Sequence, residues 1–312
     1  MKRTLPAALC FSLTVLAVLE TNAVQQTPLR VAGNTTTIEL SPVLIAANGV
    51  YPEPITVISG GIPNIMDGSV DVATNAETQL LRQSVDDPNL RVIFTVAESF
   101  YRIVARKSAG ILRVADLKGK RITVPLNTSA AYFLARMLAV AGLSEADVTI
   151  VPIMPVTDMS GALRDRRVDA VAMWEPEAEL AIAAVGDDVV VLQDRSVYRE
   201  LFNLNTSTKV LADPVKRRAV VNLLRALMTS SERLRTRPQE FWPFLGSKLN
   251  YPPELISRCW PELRYAGSMV NDLLDVMEKE EPWVAKERNR TPRTRAQLAI
   301  LIDDSLLKEA RR

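Results

Sequence analysis

The sequence predicts an α/β protein of two similar lobes, each a parallel-rich sheet flanked by helices, followed by a helical C-terminal segment. Three observations predict it. A short pattern occurs twice, as Val31-Ala32-Gly33-Asn34-Thr35-Thr36 and as Val124-Pro125-Leu126-Asn127-Thr128-Ser129. Each copy runs from an apolar strand into Asn-Thr-hydroxyl and then into a helix-like stretch. A second matched piece follows each copy: Ile65-Met66-Asp67-Gly68-Ser69-Val70-Asp71-Val72 leads to Glu77, and Leu163-Arg164-Asp165-Arg166-Arg167-Val168-Asp169-Ala170 leads to Glu175 at the same internal spacing. Finally, β-rich runs alternate with helix-spaced apolar stripes as far as Leu192, the pattern of βαβ units and parallel sheets.

The N-terminus reads as an export signal. Lys2 and Arg3 precede an apolar run from Leu5 to Leu19, and Thr21 and Ala23 give the small-x-small cleavage pattern. Cleavage after Ala23 is expected, with a soluble mature chain starting at Val24. Leu9 before Cys10 is too large for a lipid-attachment site. Leu29 to Ala32 is then the first strand. Thr36 starts a helix, with Glu39 three residues on completing a capping box. Ile55 to Ser59 is the second strand, ended by Gly60-Gly61, and a short helix begins at Pro63. Val70 to Ala73 is the third strand, Thr74-Asn75 a turn, and a helix starts near Glu77. Leu90–Val96 and Tyr101–Ala105 are strands, the latter leaving the first lobe.

Asp116-Leu117-Lys118-Gly119-Lys120 opens the second lobe. Arg121 to Val124 is its first strand. A helix from Ser129 to Ala141 follows, with Phe133, Leu134, Met137, Leu138 and Ala141 on one face and Gly142 to end it. Val148–Val151, Val168–Met173 and Val189–Leu192 are strands, with helices over Asp158–Arg166 and from Pro176. The chain returns through Phe202 to Thr206. From Asp213 it is mainly helical, with an apolar stripe of Val220, Leu223, Leu224, Leu227 and Met228. Glu281 to Arg295, charged and carrying Pro282 and Pro292, reads as an exposed connection, and Thr294 to Lys308 as a final helix.

Composition narrows the chemistry. The chain has 38 Lys and Arg against 36 Asp and Glu, a net charge of +2, with the two signs interspersed. A nucleic-acid partner would need a basic face. There is no histidine and there are two cysteines. Histidine-based triads and His-containing zinc sites are therefore excluded. Once Cys10 leaves with the signal, Cys259 has no internal disulfide partner. No catalytic residue, metal or cofactor is expected.

In open parallel sheets, ligands sit where strands end and helices begin, and helix N-termini hold acidic groups with free backbone N–H groups. Asn34, Thr35 and Thr36 occupy such a place in the first half, and Asn127, Thr128 and Ser129 the matching place in the second. Helix capping is the competing role of each. Thr74 and Asn75 form a third such turn. Trp174, at the end of a buried strand, can wall an apolar ligand or cover a cation. Glu175 can accept from a ligand amine or from a hinge arginine. Tyr101 and Arg102, where the chain crosses between lobes, can line the cleft.

The run Asp116-Leu117-Lys118-Gly119-Lys120-Arg121-Ile122, then Thr128-Ser129, then Val168-Asp169-Ala170-Val171 with Trp174-Glu175-Pro176, resembles the aliphatic-sulfonate, taurine and nitrate substrate-binding proteins of ABC importers. The binding proteins for thiamine-pyrimidine precursors belong to the same wider group. The resemblance implies a two-lobed periplasmic-binding-protein fold, type II-like, closing on a small solute. Residues 24–112 with 203–312 would form one lobe and residues 113–202 the other. The family's ligand-contacting turns match Thr35, Thr36, Asn75, Thr128, Ser129 and Trp174. The implied partners are a small-molecule ligand and an ABC permease with its ATPase. Nucleic acid is not among them, and the membrane is met only through the permease by a monomer in the periplasm. Because the candidate turns carry few fixed positive charges, the expected ligand is a small monoanion, zwitterion or polar organic molecule. Two alternatives share the fold: a thiamine-pyrimidine-related enzyme, whose chemistry needs histidine and a cysteine cluster, and a periplasmic sensor.

Overall fold

The two copies of the repeat fall at the ends of strands in two separate sheets, each one strand in from an edge. The structure, a computed structural model, describes residues 28–312, so the export signal and its cleavage site lie outside the described residues. Its strands are β1 (Leu29–Gly33), β2 (Ile55–Ser59), β3 (Val72–Ala76), β4 (Leu90–Ser99), β5 (Arg102–Arg106), β6 (Arg121–Thr123), β7 (Thr149–Ile150), β8 (Ala170–Met173), β9 (Val189–Leu192), β10 (Glu200–Ser207) and β11 (Leu263–Arg264). One sheet has the order β11-β4-β10-β3-β1-β2, the other β7-β6-β8-β5-β9. β1 lies parallel between β2 and β3, and β6 parallel between β7 and β8. The fourth place in each is taken by an antiparallel strand that has crossed from the other half of the chain: β10 beside β3, and β5 beside β8.

The second matched piece explains itself in this frame. Asp71 accepts the backbone N–H of Arg30 at the start of β1 (3.1 Å), and Asp169 accepts that of Arg121 at the start of β6 (3.0 Å). Each Val-Asp thus fastens the base of the strand that carries its copy of the repeat. The glutamates that follow grip the crossing strands. Glu77 accepts from the Tyr198 hydroxyl (2.6 Å) and the Leu201 backbone (2.7 Å), at the start of β10. Glu175 accepts from Arg102 Nε (2.8 Å), at the start of β5.

Apolar side chains fill both faces of each sheet. Val31, Val72, Ile93 and Leu204 pack under the long helix Pro214–Thr236, whose Val220, Leu223, Leu224 and Leu227 are buried. Asp213 caps that helix by accepting from Val215 and Lys216, and Pro214 opens it. In the second sheet the helix Ser129–Val140 lays Phe133, Leu134, Met137 and Leu138 against Ile103, Ile122 and Ala172.

Four local expectations need correction. Sheet membership places Arg102–Arg106 in the second sheet and Glu200–Ser207 in the first, so the crossing points fall before residue 112 and before residue 203. Thr74 and Asn75 belong to β3, with no turn there. The stretch Glu281–Arg295 is a connection only over residues 288–294: the helix Leu273–Glu287 continues through Pro282, and Glu281 is buried between Arg290 and Arg293. Those pairings hold a segment whose composition resembles a loop. The last helix is broken into Arg295–Ala299 and Ser305–Ala310, because Ile302 between them bridges to Val92 at the sheet.

Candidate functional site

Between the two sheets, at the carboxyl ends of β1, β3 and β8, lies a cavity of about 310 Å³. The first sheet and its connections supply Asn34, Thr37, Glu39, Asn75, Ala76 and Gln79. The second supplies Asn127, Thr128, Ser129 and Trp174, and the crossing segments supply Tyr101, Glu200 and Phe202. Gln79 Nε2 donates to the Asn127 carbonyl (2.7 Å), closing a direct contact between the halves at the cavity wall.

The second-half turn is built by local bonds. Asn127 takes a left-handed backbone (φ 58°), a conformation that asparagine tolerates better than most residues. Thr128 then caps the helix Ser129–Val140, accepting from Ala130 (3.2 Å) and donating to the Pro125 carbonyl (2.6 Å). Ser129 is buried, and its hydroxyl lies 2.9 Å from that of Tyr101. Tyr101 packs edge-on to Phe133 (5.9 Å between ring centres) and Tyr198 (5.5 Å), and is tilted against Trp174 (6.0 Å). The aromatic wall of the cavity is therefore a packed cluster rather than a set of free rings.

In the first half, Asn34 Oδ1 accepts from the backbone (3.1 Å) and hydroxyl (2.8 Å) of Thr36. Asn75 Oδ1 accepts from the Ile62 backbone (2.7 Å), which fixes its amide at the cavity edge. This approach requires Gly61, where a Cβ would sit 2.2 Å from Asn75 Oδ1.

Of the residues singled out by sequence, Asn34, Asn75, Tyr101, Asn127, Thr128, Ser129 and Trp174 meet at this one cavity. Arg102 and four others do not line it. Thr35 faces a different hollow with Leu44, Ile55, Val57 and Phe244. Thr36 is exposed and serves the Asn34 turn. Thr74 is fully buried beneath β1, its hydroxyl 3.5 Å from the Ala32 carbonyl. Glu175 is buried against Arg102, so the hinge arginine, not a ligand, is its partner.

The cavity also holds two carboxyl groups to which the sequence assigns no ligand role. Glu39 is 2% exposed and Glu200 4%. The capping-box reading of Glu39 fails: a short 3-10 turn, Ile38–Leu40, begins at Thr37 with no side-chain cap bond, and Glu39 turns inward. Burial pushes its carboxyl up to about 7, against hydrogen bonds from its own backbone, Thr37 and Ser99, with the charge of Glu175 adding to the rise. Burial pushes Glu200 well above the ordinary carboxylate value. Glu39 and Glu77 add to that rise, and hydrogen bonds from Tyr101 and Ser129 oppose it. Oε2 of each has no hydrogen-bond partner. Among the described residues lining the cavity there is no lysine or arginine. Nor do the described residues hold any group of three or more His, Cys, Asp or Glu arranged for a metal ion.

Known proteins share this architecture. The periplasmic aliphatic sulphonate binding protein of Escherichia coli superposes with a TM-score of 0.71 at 17% identity, covering 84% of this chain and 93% of that one. The periplasmic nitrate-binding protein of Synechocystis PCC 6803 gives 0.72 at 14%, covering 92% and 88%. A curated relative from Brucella abortus, named as a binding protein, is 37% identical over 75 residues, which are 24% of this chain and 23% of that protein's length. A family model described as NMT1/THI5 like matches residues 45–241, the span that contains both crossing strands and most of the cavity wall, and the chain belongs to that family.

Proposed function

We propose that this protein is an extracytoplasmic solute-binding protein that captures a small organic solute between its lobes and delivers it to an ABC permease. One observation carries the reading: a single cavity receives the strand-end turns of both sheets and the two crossing segments. Such a ligand touches both halves at once. It binds the closed arrangement better than the open one and shifts the population toward it. The crossing segments at Tyr101 and Glu200 divide the chain into lobes of 28–100 with 200–312, and 101–199. The periplasmic neighbours and the Lys2-Arg3 apolar leader support a place outside the cytoplasm, with the mature chain beginning at Val24. The protein binds as a monomer, without turning the solute over and without a cofactor. The carboxyl-lined wall favours the polar or zwitterionic members of the expected ligand range over a simple monoanion, because it offers an anion two acidic groups and no cation.

The test is direct. Mass spectrometry of small molecules released from the exported protein should identify a solute. That solute should raise the melting temperature and reduce the radius of gyration in solution scattering. In proteoliposomes carrying its ABC permease and ATPase, the loaded protein should stimulate ATP hydrolysis. Release of a solute chemically changed by the protein would instead support an enzyme.

A further inference from the structure

We propose that the solute is a small organic cation, a protonated amine or amidinium on a flat or aromatic body, held between Glu39 and Glu200. This rests on the solute-binding reading above. Oε2 of Glu39 and of Glu200 is buried with no hydrogen-bond partner, although both residues are more than nine-tenths buried and line the cavity. An unpaired buried acceptor is costly, and a donor inside the cavity can satisfy it. Two such acceptors come from different parts of the chain, one after β1 and one at the start of β10. A –NH3+ or amidinium group presents two or more N–H donors and can bridge them. Hydrogen bonds between a cation and a carboxylate are roughly twice as strong as neutral ones.

The remaining lining suits the rest of such a molecule. Trp174, Tyr101 and Phe202 give it aromatic surface, and a ring face attracts a cation directly. Asn34, Asn75, Gln79 and Asn127 can orient further polar atoms. No lysine or arginine among the lining residues competes for the carboxylates. The nearby guanidinium of Arg102 is committed to Glu175 and Glu179. An anionic head group such as sulfonate would require both carboxyl groups to stay protonated and would meet no cation among the lining residues.

Cation binding must also move protons. Glu39 sits near 7 and Glu200 well above its ordinary value, so the empty site holds protons at neutral pH. The charged and titratable groups around the pair are Glu175 and Tyr265 on the Glu39 side, Glu77, Glu280 and Tyr198 on the Glu200 side, and Tyr101 between them. The neighbouring acids favour the protonated empty state, and the hydrogen bonds from Tyr101 and Ser129 oppose it at Glu200. A cation favours the carboxylates. Binding therefore releases protons, and affinity rises from pH 6 to pH 8.

Two measurements test this on the exported full chain. The first is the charge of the solute released from the purified protein. The second is calorimetry at pH 8 with six probes of similar shape: benzylamine and benzamidine, benzyl alcohol and benzamide, benzoate and benzenesulfonate. We expect a cationic released solute and binding confined to the two cations. Glu39→Gln and Glu200→Gln should each weaken cation binding at least tenfold. Wild-type enthalpies should differ between phosphate and Tris buffers, reporting proton release. The buffer comparison needs no variant, so a misfolded mutant leaves the test intact. A released anion, or probes of any charge binding alike with no proton release, overturns the cation assignment and leaves solute binding standing. If nothing is released and no probe binds, the solute-binding reading falls with it.

Discussion

Ser129 and Thr36 occupy matching places in the repeat, yet only one faces the cavity. Ser129 is buried beside Tyr101, whereas Thr36 is exposed and spends its hydroxyl on Asn34. We expect Ser129→Ala to lower solute affinity by about 1 kcal/mol, or roughly five-fold. Thr36→Ala should leave affinity unchanged and cost a few tenths of that in stability. Trp174→Ala removes a wall of the cavity and should cost about 2 kcal/mol or more in binding. Calorimetry beside thermal unfolding separates the three, and equal losses for Ser129 and Thr36 would show that both act only through the fold. Glu39 allows a prediction on pH. Its folded value of about 7 lies above the ordinary 4.5, so the fold holds an extra proton between those limits. The resulting stability is full below pH 4.5 and is lost as pH rises through 7. The size is on the order of 3 kcal/mol. The empty wild-type protein should melt higher at pH 5.5 than at pH 8.5, and Glu39→Gln should flatten that dependence; an equally steep curve in the variant would assign the effect elsewhere. Polar turn residues were legible because Asn-Thr-hydroxyl after a strand is a local pattern. Glu39 was not, since Thr-x-x-Glu spacing also describes a capping box. Glu200 carries no local signal at all, because its role depends on where a distant strand crosses.

Strands are the most legible elements, and the reason is visible in β2 and β9, whose short β-branched runs have no helical alternative. The crossings at β5 and β10 are legible in outline, as a strand leaving the first lobe at Tyr101–Ala105 and a return through Phe202 to Thr206; the residue at which each joins the opposite sheet is not, because tertiary pairing decides it. The last turns of the helix Leu273–Glu287 read as a connection because Pro282 and the charges around it outweigh a burial of Glu281 that comes only from tertiary pairing with Arg290 and Arg293. The repeated glutamates tie these levels together. Glu77 and Glu175 end equivalent strands, and each holds the segment that crosses from the other lobe. Removing Arg102 leaves Glu175 fully buried without its cation. Arg102→Leu should therefore destabilise the protein by about 3–5 kcal/mol at pH 8. The loss should shrink at pH 6, where burial lets the carboxyl take up a proton; its folded value is already pushed up to about 7 even beside the guanidinium. Denaturant unfolding at the two pH values checks this. A loss that is the same at both would mean that Glu175 stays neutral, and that the pair holds the hinge by shape rather than charge.

At the scale of the whole molecule the halves already touch around the cavity. Gln79 donates to the Asn127 carbonyl, Arg258 pairs with Glu179 (2.9 Å), and the Tyr132 hydroxyl reaches the Lys279 carbonyl (3.4 Å). On the proposed closure mechanism these contacts belong to the closed arrangement and break when the lobes part, so that their free energy would add to that of the ligand in favouring closure. The Gln79 contact is the informative one, because it lies on the cavity wall and is exposed to solvent. Its loss exposes no core and leaves no buried group unpaired. Gln79→Ala should thus leave the unfolding of the empty protein within about 0.5 kcal/mol of wild type. It should weaken solute binding by about 0.5–1.5 kcal/mol, a factor of roughly 2 to 12. Because the missing bond forms on closing, the change should fall mainly on the dissociation rate. Stopped-flow following Trp174 fluorescence, together with solution scattering of the empty and loaded forms, measures both quantities. An unchanged dissociation rate with a lowered melting temperature would show that Gln79 braces the first lobe alone, and that lobe closure is held by the ligand and the Arg258–Glu179 pair.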